Sequence, residues 1–150
     1  MLPEAALTLI KAFEGLRLKP YICPAGYLTV GYGHVISPLE KDKYQEISPN
    51  EAELLLLKDA ERADRAVSRL IWIPLTENER AALISFTFNL GSGALQCSTL
   101  RQMLNRDEDR EEVGGQFLRW VFAGGRKLPG LVRRRHNERM VFLDGRLGSL

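Results

Sequence analysis

Glu14, Cys23 nine positions later and Thr29 six further on bring an acid, a thiol and a hydroxyl into one stretch, FEGLRLKPYICPAGYLTVGYGH (residues 13–34). A carboxylic acid can donate a proton in a transition state. A thiol can accept one, or attack, through its thiolate fraction. A hydroxyl can place a water. Read alone, Glu14 is a terminal acid that Arg17 could pair, and Cys23 is a small buried hydrophobe. An acid at a helix C-terminus, facing the negative end of the dipole beside apolar groups, is also placed to keep its proton. Cleavage of a glycosidic bond needs an acid of that kind. Cys23 with His34 suggests a second chemistry, a thiol nucleophile and its base, as in amidases or peptidases. That pair also needs an orienting Asp or Asn, and the sequence names none.

Other chemistries find less support. His34 and His136 are the only histidines, and neither Cys-x-x-Cys nor His-Glu-x-x-His occurs, so no metal and no cofactor is expected. Gly31-Tyr32-Gly33 lacks the third glycine and the Lys-Ser/Thr of a phosphate loop. No Gly-x-Ser-x-Gly is present. The Arg133–Arg139 cluster has no interleaved aromatic platform, so nucleic acid is not an expected partner.

The elements around these residues follow from period and punctuation. Ala6, Leu9, Ile10 and Phe13 predict an amphipathic helix over residues 3–13, ended by Gly15. Prolines and glycines among Leu18, Tyr27, Thr29 and Tyr32 predict a bent, three-stranded β lobe over about 15–47. Ser48-Pro49-Asn50-Glu51 and Thr76-Glu77-Asn78-Glu79 are capping boxes. The first opens a connecting helix over about 48–71, with a broken stripe of Leu54, Leu57, Ala60 or Glu61, Asp64, Val67 and Ser68. The second opens Arg80–Leu90, apolar on all sides and hence central. Ser98–Leu104, Asp107–Phe122 and Leu131–Leu143 read as three more helices. The fold class is α+β, mostly α: one domain over 1–150, with the N-terminal helix joining a helical lobe at 72–150.

A chain of 150 residues, 45% hydrophobic and 27% charged, suits one globular domain. Two cysteines make no disulfide framework and suggest a reducing compartment. Net charge is only +2, yet seven Lys/Arg fall between Arg126 and Arg146. They read either as a solvated helix face or as a contact for an anionic polymer or surface. The N-terminus lacks a basic lead and a long apolar run, so no signal peptide is expected.

The motif Phe-Glu-Gly-Leu-Arg-Leu-Lys-x-Tyr…Gly-Tyr-x-Thr-x-Gly-Tyr-Gly-His resembles the active-site region of the phage-type lysozymes, glycoside hydrolase family 24. The likeness continues in order through Ser48–Glu53, Arg80–Gly91, Thr99-Leu100, Trp120, Ala123-Gly124-Gly125, Leu128–Leu131 and the arginine run at Arg133–Arg135. It implies a lysozyme-like fold and a muramidase that lyses the host cell by cutting peptidoglycan. It implies Glu14 as general acid and Thr29 as the residue placing water. Cys23 takes the position that is usually Asp. Val35, Phe88 and Thr99 match glycan-cleft positions, His34 a structural one, and Arg134 an arginine that pairs with the acid, with Arg133 and Arg135 as neighbours for that role. Cys23 as base gives inversion, and as nucleophile retention. Glu14 alone gives transglycosylase-type cleavage, and the Cys–His amidase or peptidase stays open beside these. The resemblance also implies a monomer made in the host cytoplasm and let through to the wall by a holin-type lesion. No stable membrane insertion is expected, and the basic C-terminal helix is the element that would touch an outer membrane.

Overall fold

The computed structural model describes residues 1–148. Helix α1, Glu4–Glu14, buries Ala6, Leu9 and Ile10 and stops at Gly15, whose φ of 68° favours glycine. Glu14 is therefore the last helical residue, and the chain passes at once into β1, Arg17–Ile22. Strands β2 (Leu28–Gly31) and β3 (His34–Val35) complete an antiparallel sheet in the order β1-β2-β3. Arg17 pairs with Gly31 and Tyr21 with Thr29, so four steps along β1 match two along β2. The strand bulges across the segment containing Pro20, which has no N–H to give a ladder. Val30, Ile36, Ile47 and Ala52 form a small core under this lobe.

Helix α2, Pro49–Leu70, starts where Ser48 accepts from the Glu51 N–H. Its buried face is Ala52, Leu56, Ala60, Ala63, Ala66, Val67 and Leu70. Of the stripe expected from the sequence, Ala60 and Val67 are buried, but Leu54 is 67% exposed and Ser68 faces solvent. Counting leucines picks the wrong face, because alanines make the contact and let α2 lie close to its neighbours. Helix α3, Glu77–Leu90, carries the full reciprocal capping box and buries every residue from Ala81 to Thr87. Its position in the core gives it neighbours on all sides, among them α1 and α2.

Beyond α3 the sequence reading needs three corrections. Helix α4, Ser92–Cys97, was not expected; Gly91 ends α3, and a new short helix begins directly after it. Helix α5 is Thr99–Asn105. The single helix expected over Asp107–Phe122 is in fact α6 (Arg110–Gly115), capped by Asp109, followed by a 3-10 turn at Gln116–Arg119. Gly114-Gly115 weakens helical continuation there. Phe122–Ala123 and Arg126–Lys127 then pair as β4 and β5, a hairpin that helix periodicity concealed. Gly124 and Gly125 take positive φ (57° and 76°), as a primed two-residue turn requires.

Helix α7, Pro129–Asp144, packs on α3. Its arginines divide: Arg134 and Arg135 are buried with Glu138, while Arg133 is exposed. Val141 and Phe142 also lie in the core, so α7 is not the free amphipathic helix that membrane contact would want. No helix among the described residues is long and apolar enough to cross a membrane.

The alanine face of α2 yields a stability expectation. Ala60→Leu forces extra methylenes into a filled contact and should cost about 1–3 kcal/mol. Urea unfolding followed by circular dichroism checks it: the midpoint falls with an unchanged slope, and an unshifted midpoint would show that the face is loosely packed.

Candidate active site

Glu14 is held from two sides. Arg134 Nη1 of α7 donates to Oε1 at 2.6 Å. On the other side Gly33, with φ +76°, lies so close that an added Cβ would sit 2.7 Å from Oε2. Only glycine fits both that backbone and that approach. The Glu14 side chain keeps 20% exposure, enough to meet a ligand.

Arg134 is itself fixed. Its Nε donates to Glu138 Oε2 (3.2 Å), and its Nη2 to the carbonyl (3.2 Å) and hydroxyl oxygen (3.3 Å) of Ser85. The Ser85 hydroxyl donates to Glu138 Oε2 at 2.6 Å. Arg135 donates to Glu138 Oε1 at 2.8 Å and to Asn89 Oδ1. Charge alternates along Arg135, Glu138, Arg134 and Glu14. Burial lowers the hold of Arg135 on its proton; Glu138 opposes this and Arg134 reinforces it. Glu138 has no exposure, and a carboxylate so buried persists only with cationic partners.

Cys23 and Thr29 sit across the first hairpin. The Cys23 N–H donates to the Tyr27 carbonyl (2.9 Å) and the Gly26 N–H to the Cys23 carbonyl (2.8 Å), closing a tight turn over Pro24-Ala25-Gly26. Burial pushes the thiol up, but polar groups of Tyr27, Thr29, Ala25 and Gly26 outweigh it and hold it below the ordinary range. The single proton of the buried Thr29 hydroxyl goes to the Tyr27 carbonyl at 2.9 Å, so its help to a thiolate competes with that bond.

Tyr21, which sequence reasoning missed, lies opposite Thr29 in the strand register. Arg17 covers its ring at 4.4 Å. Burial pushes the phenol up, Glu14 adds to this, Arg17 opposes it, and Cys23 adds a smaller push. The phenol thus feels both candidate catalytic groups. Its sequence signal was its place at the end of the Phe-Glu-Gly-Leu-Arg-Leu-Lys-x-Tyr motif, two positions before the thiol.

His34 Nδ1 bonds Asp59 Oδ2 at 2.7 Å, and Arg62 holds the other Asp59 oxygen at 2.9 Å. Asp59 is the orienting acid that the Cys–His reading lacked. The other ring nitrogen, however, is buried with no partner, and no hydrogen bond joins His34 to Cys23 among the described residues. The pair ties β3 to α2.

Val35 and Phe88 line one depression, with Gly33, His34 and Gly91. Glu14 and Asn89 line another, with Leu128, Pro129, Leu131 and Arg133. Gly33, which lines the first, lies close to Glu14, which lines the second, and Phe88 precedes Asn89 on α3. Thr99 is not brought to either. It lines a separate recess with Cys97, Gln116 and Trp120, where Arg119 donates to its hydroxyl at 3.4 Å. No cluster of three or more His, Cys, Asp or Glu that could hold a metal ion occurs among the described residues.

Residues 11–138 match the family model described as phage lysozyme. An endolysin of Bacillus phage B103 is 41% identical over 144 residues, 95% of this chain and 54% of that protein, so the chain spans about half of that relative's length. Among solved structures, an endolysin from Escherichia coli O157:H7 phage FAHEc1 superposes with a TM-score of 0.85 at 34% identity, covering 99% of this chain and 97% of that one. The muramidase domain of SpmX from Asticaccaulis excentricus gives 0.83 at 33% identity, covering 95% and 97%.

A depressed thiol has a direct readout. In Cys97→Ser protein, the rate of Cys23 alkylation by iodoacetamide should reach half its plateau at lower pH in the native state than in urea. Thr29→Val should move that native midpoint up. Coincident native and unfolded midpoints would remove the thiolate from the account.

Proposed function

Because the chain belongs to the phage lysozyme family, we propose that it is an endolysin of the muramidase type. It hydrolyses the β-1,4 bond between N-acetylmuramic acid and N-acetylglucosamine in bacterial peptidoglycan. The observation that carries this reading is Glu14, bonded by Arg134, approached closely by Gly33 and lining an open depression. Such an acid has a fixed direction in which to give its proton, which general acid catalysis requires.

In the proposed reaction Glu14 protonates the glycosidic oxygen as the C–O bond breaks. The Cys23 thiolate takes a proton from a water placed by Thr29, and the water oxygen bonds to the anomeric carbon from the opposite face. The thiol then returns its proton to solvent, and Glu14 regains one. The depressed thiol also suits a second reading, direct attack by sulfur with a covalent intermediate. Tyr21, opposite Thr29 in the strand register, serves as a positioning residue. Val35 and Phe88 line the glycan path, and His34 braces the β lobe through Asp59. The protein works as a monomer on the wall, reached from the host cytoplasm through a holin-type lesion. The apolar residues of α7 serve the core rather than an outer membrane.

Release of new reducing ends from purified peptidoglycan tests the reading. Glu14→Gln should lose at least about 100-fold, the usual share of a general acid, while keeping its fold by circular dichroism. Cys23→Asp should retain much of the activity that Cys23→Ala loses. New amino groups in place of reducing ends would transfer the case to an amidase, and near-normal turnover by folded Glu14→Gln would end the muramidase account.

A further inference from the structure

We propose that Trp72 is a platform on which a pyranose ring of the glycan strand stacks, outside the two depressions described above. The inference rests on the muramidase reading and adds a distal contact for the same strand.

The chain has two tryptophans, and the fold treats them differently. Trp120 packs edge-on against Phe86, with ring centroids 5.5 Å apart. Trp72 is 72% exposed. A large ring left in water forgoes the burial that ordinarily stabilises a tryptophan. The residue is nevertheless held in place. Its backbone N–H donates to Asn105 Oδ1 at 2.7 Å. The Leu70 carbonyl, two positions earlier, accepts from Asn105 Nδ2 and from Arg101 Nε, both at 2.9 Å. Arg101 Nη1 also donates to the Gln96 carbonyl at 3.2 Å, and its guanidinium lies over the Trp72 ring, 4.8 Å from the centroid. Arg101 thus backs one face of the ring. Such a ring is fixed before any ligand arrives, so little ordering remains to oppose binding.

Its placement ties the ring to the cleft. Arg69 lines the same depression as Val35 and Phe88. Trp72 lies three residues further on, at most about 11 Å away even along a fully extended chain. Ser92 lines that depression too and opens α4, near whose other end Gln96 holds Arg101. The platform and its backing are therefore each joined to the depression by a short stretch of chain. A glycan strand is a long polymer and runs on past a cleft that takes only a few of its sugars.

The chemistry of the surface selects the occupant. A pyranose ring carries its hydroxyls around the edge and shows a face of C–H groups, which suits the flat apolar face of an indole. The cation here is turned to backbone carbonyls and set against the indole, so the ring and not the charge is what an arriving polymer meets. A sugar matches it better than a carboxylate does.

The test has a kinetic and a binding arm. Trp72→Ala should lose roughly three- to tenfold in kcat/KM on long peptide-bearing strands, the range of an aromatic contact. The loss should fall on KM with kcat unchanged, since a remote contact serves ground and transition states alike. On the shortest fragment that wild type still cleaves, the variant should match wild type, which also shows that it is folded. Trp72→Phe should keep most of the long-strand rate. In the binding arm, peptide-free glycan strands should blue-shift the tryptophan emission of Glu14→Gln protein, and the shift should vanish in Glu14→Gln/Trp72→Phe. Equal losses on long and short substrates, no loss on long strands, or an emission unchanged by glycan would overturn the platform. Concentration-dependent dimers that Trp72→Ala abolishes would overturn it in favour of a second copy. If the emission shifts while wild type makes no reducing ends, the muramidase reading fails and the platform stands; cleavage with no shift removes the platform alone.

Discussion

The buried guanidinium of Arg134 is the constraint on which the site depends. It bonds two carboxylates and a serine at once, and so fixes α7 against both α3 and the end of α1. Glu138 has no access to water, and two arginines flank it. Breaking such a pair by removing one partner costs on the order of 3–5 kcal/mol, because the other is left buried and uncompensated. The arrangement is therefore expensive to disturb, and its outermost member is the candidate acid. Glu14 inherits a fixed orientation from the core instead of from neighbours on the surface.

The β lobe supplies the opposite requirement. Gly15 turns the chain out of α1 immediately after the acid, and the bulge in β1 bends the strand before it reaches the thiol. Gly33 then returns the backbone close to Glu14. The acid is on a helix end packed to the helical core, while the thiol and hydroxyl are on a hairpin with its own small core. His34 and Asp59 join that hairpin to α2. A proton donor fixed in one structural unit and a water-activating group in another is a workable division for cleaving a bond that lies between them.

Much of this was legible because it is written in short-range chemistry. Capping at Ser48 and Thr76, the glycine stop after Glu14 and the all-round apolar pattern of α3 are local signals, and each element formed where its signal placed it. The failures are non-local or concern small residues. The buried face of α2 is mostly alanine, which hydrophobic counting weights too lightly. The second hairpin was hidden because its strands have two residues each, too few for a period, although Gly124-Gly125 was the available clue. Of the candidate site, Glu14 and Arg134 line one depression, His34, Val35 and Phe88 another and Thr99 a separate recess, while Cys23 and Thr29 lie on the first hairpin. Tyr21 stood in the quoted motif, but only the strand register set it opposite Thr29. Partition of three adjacent arginines into two buried and one exposed follows from helix geometry acting with Glu138, and no single position announces it.

The remaining weight of the account falls on Cys23, the thiol to which the proposal gives the water-activating role. Its depressed hold on a proton gives it a thiolate fraction, and a thiolate that activates water on the face opposite Glu14 inverts the anomeric centre. The anomeric form of the first product therefore tests the claim most directly. Proton NMR of purified peptidoglycan fragments, read at early times before mutarotation, should show new reducing ends in the α form. The β form, or a 1,6-anhydro end, would contradict a water-activating thiolate.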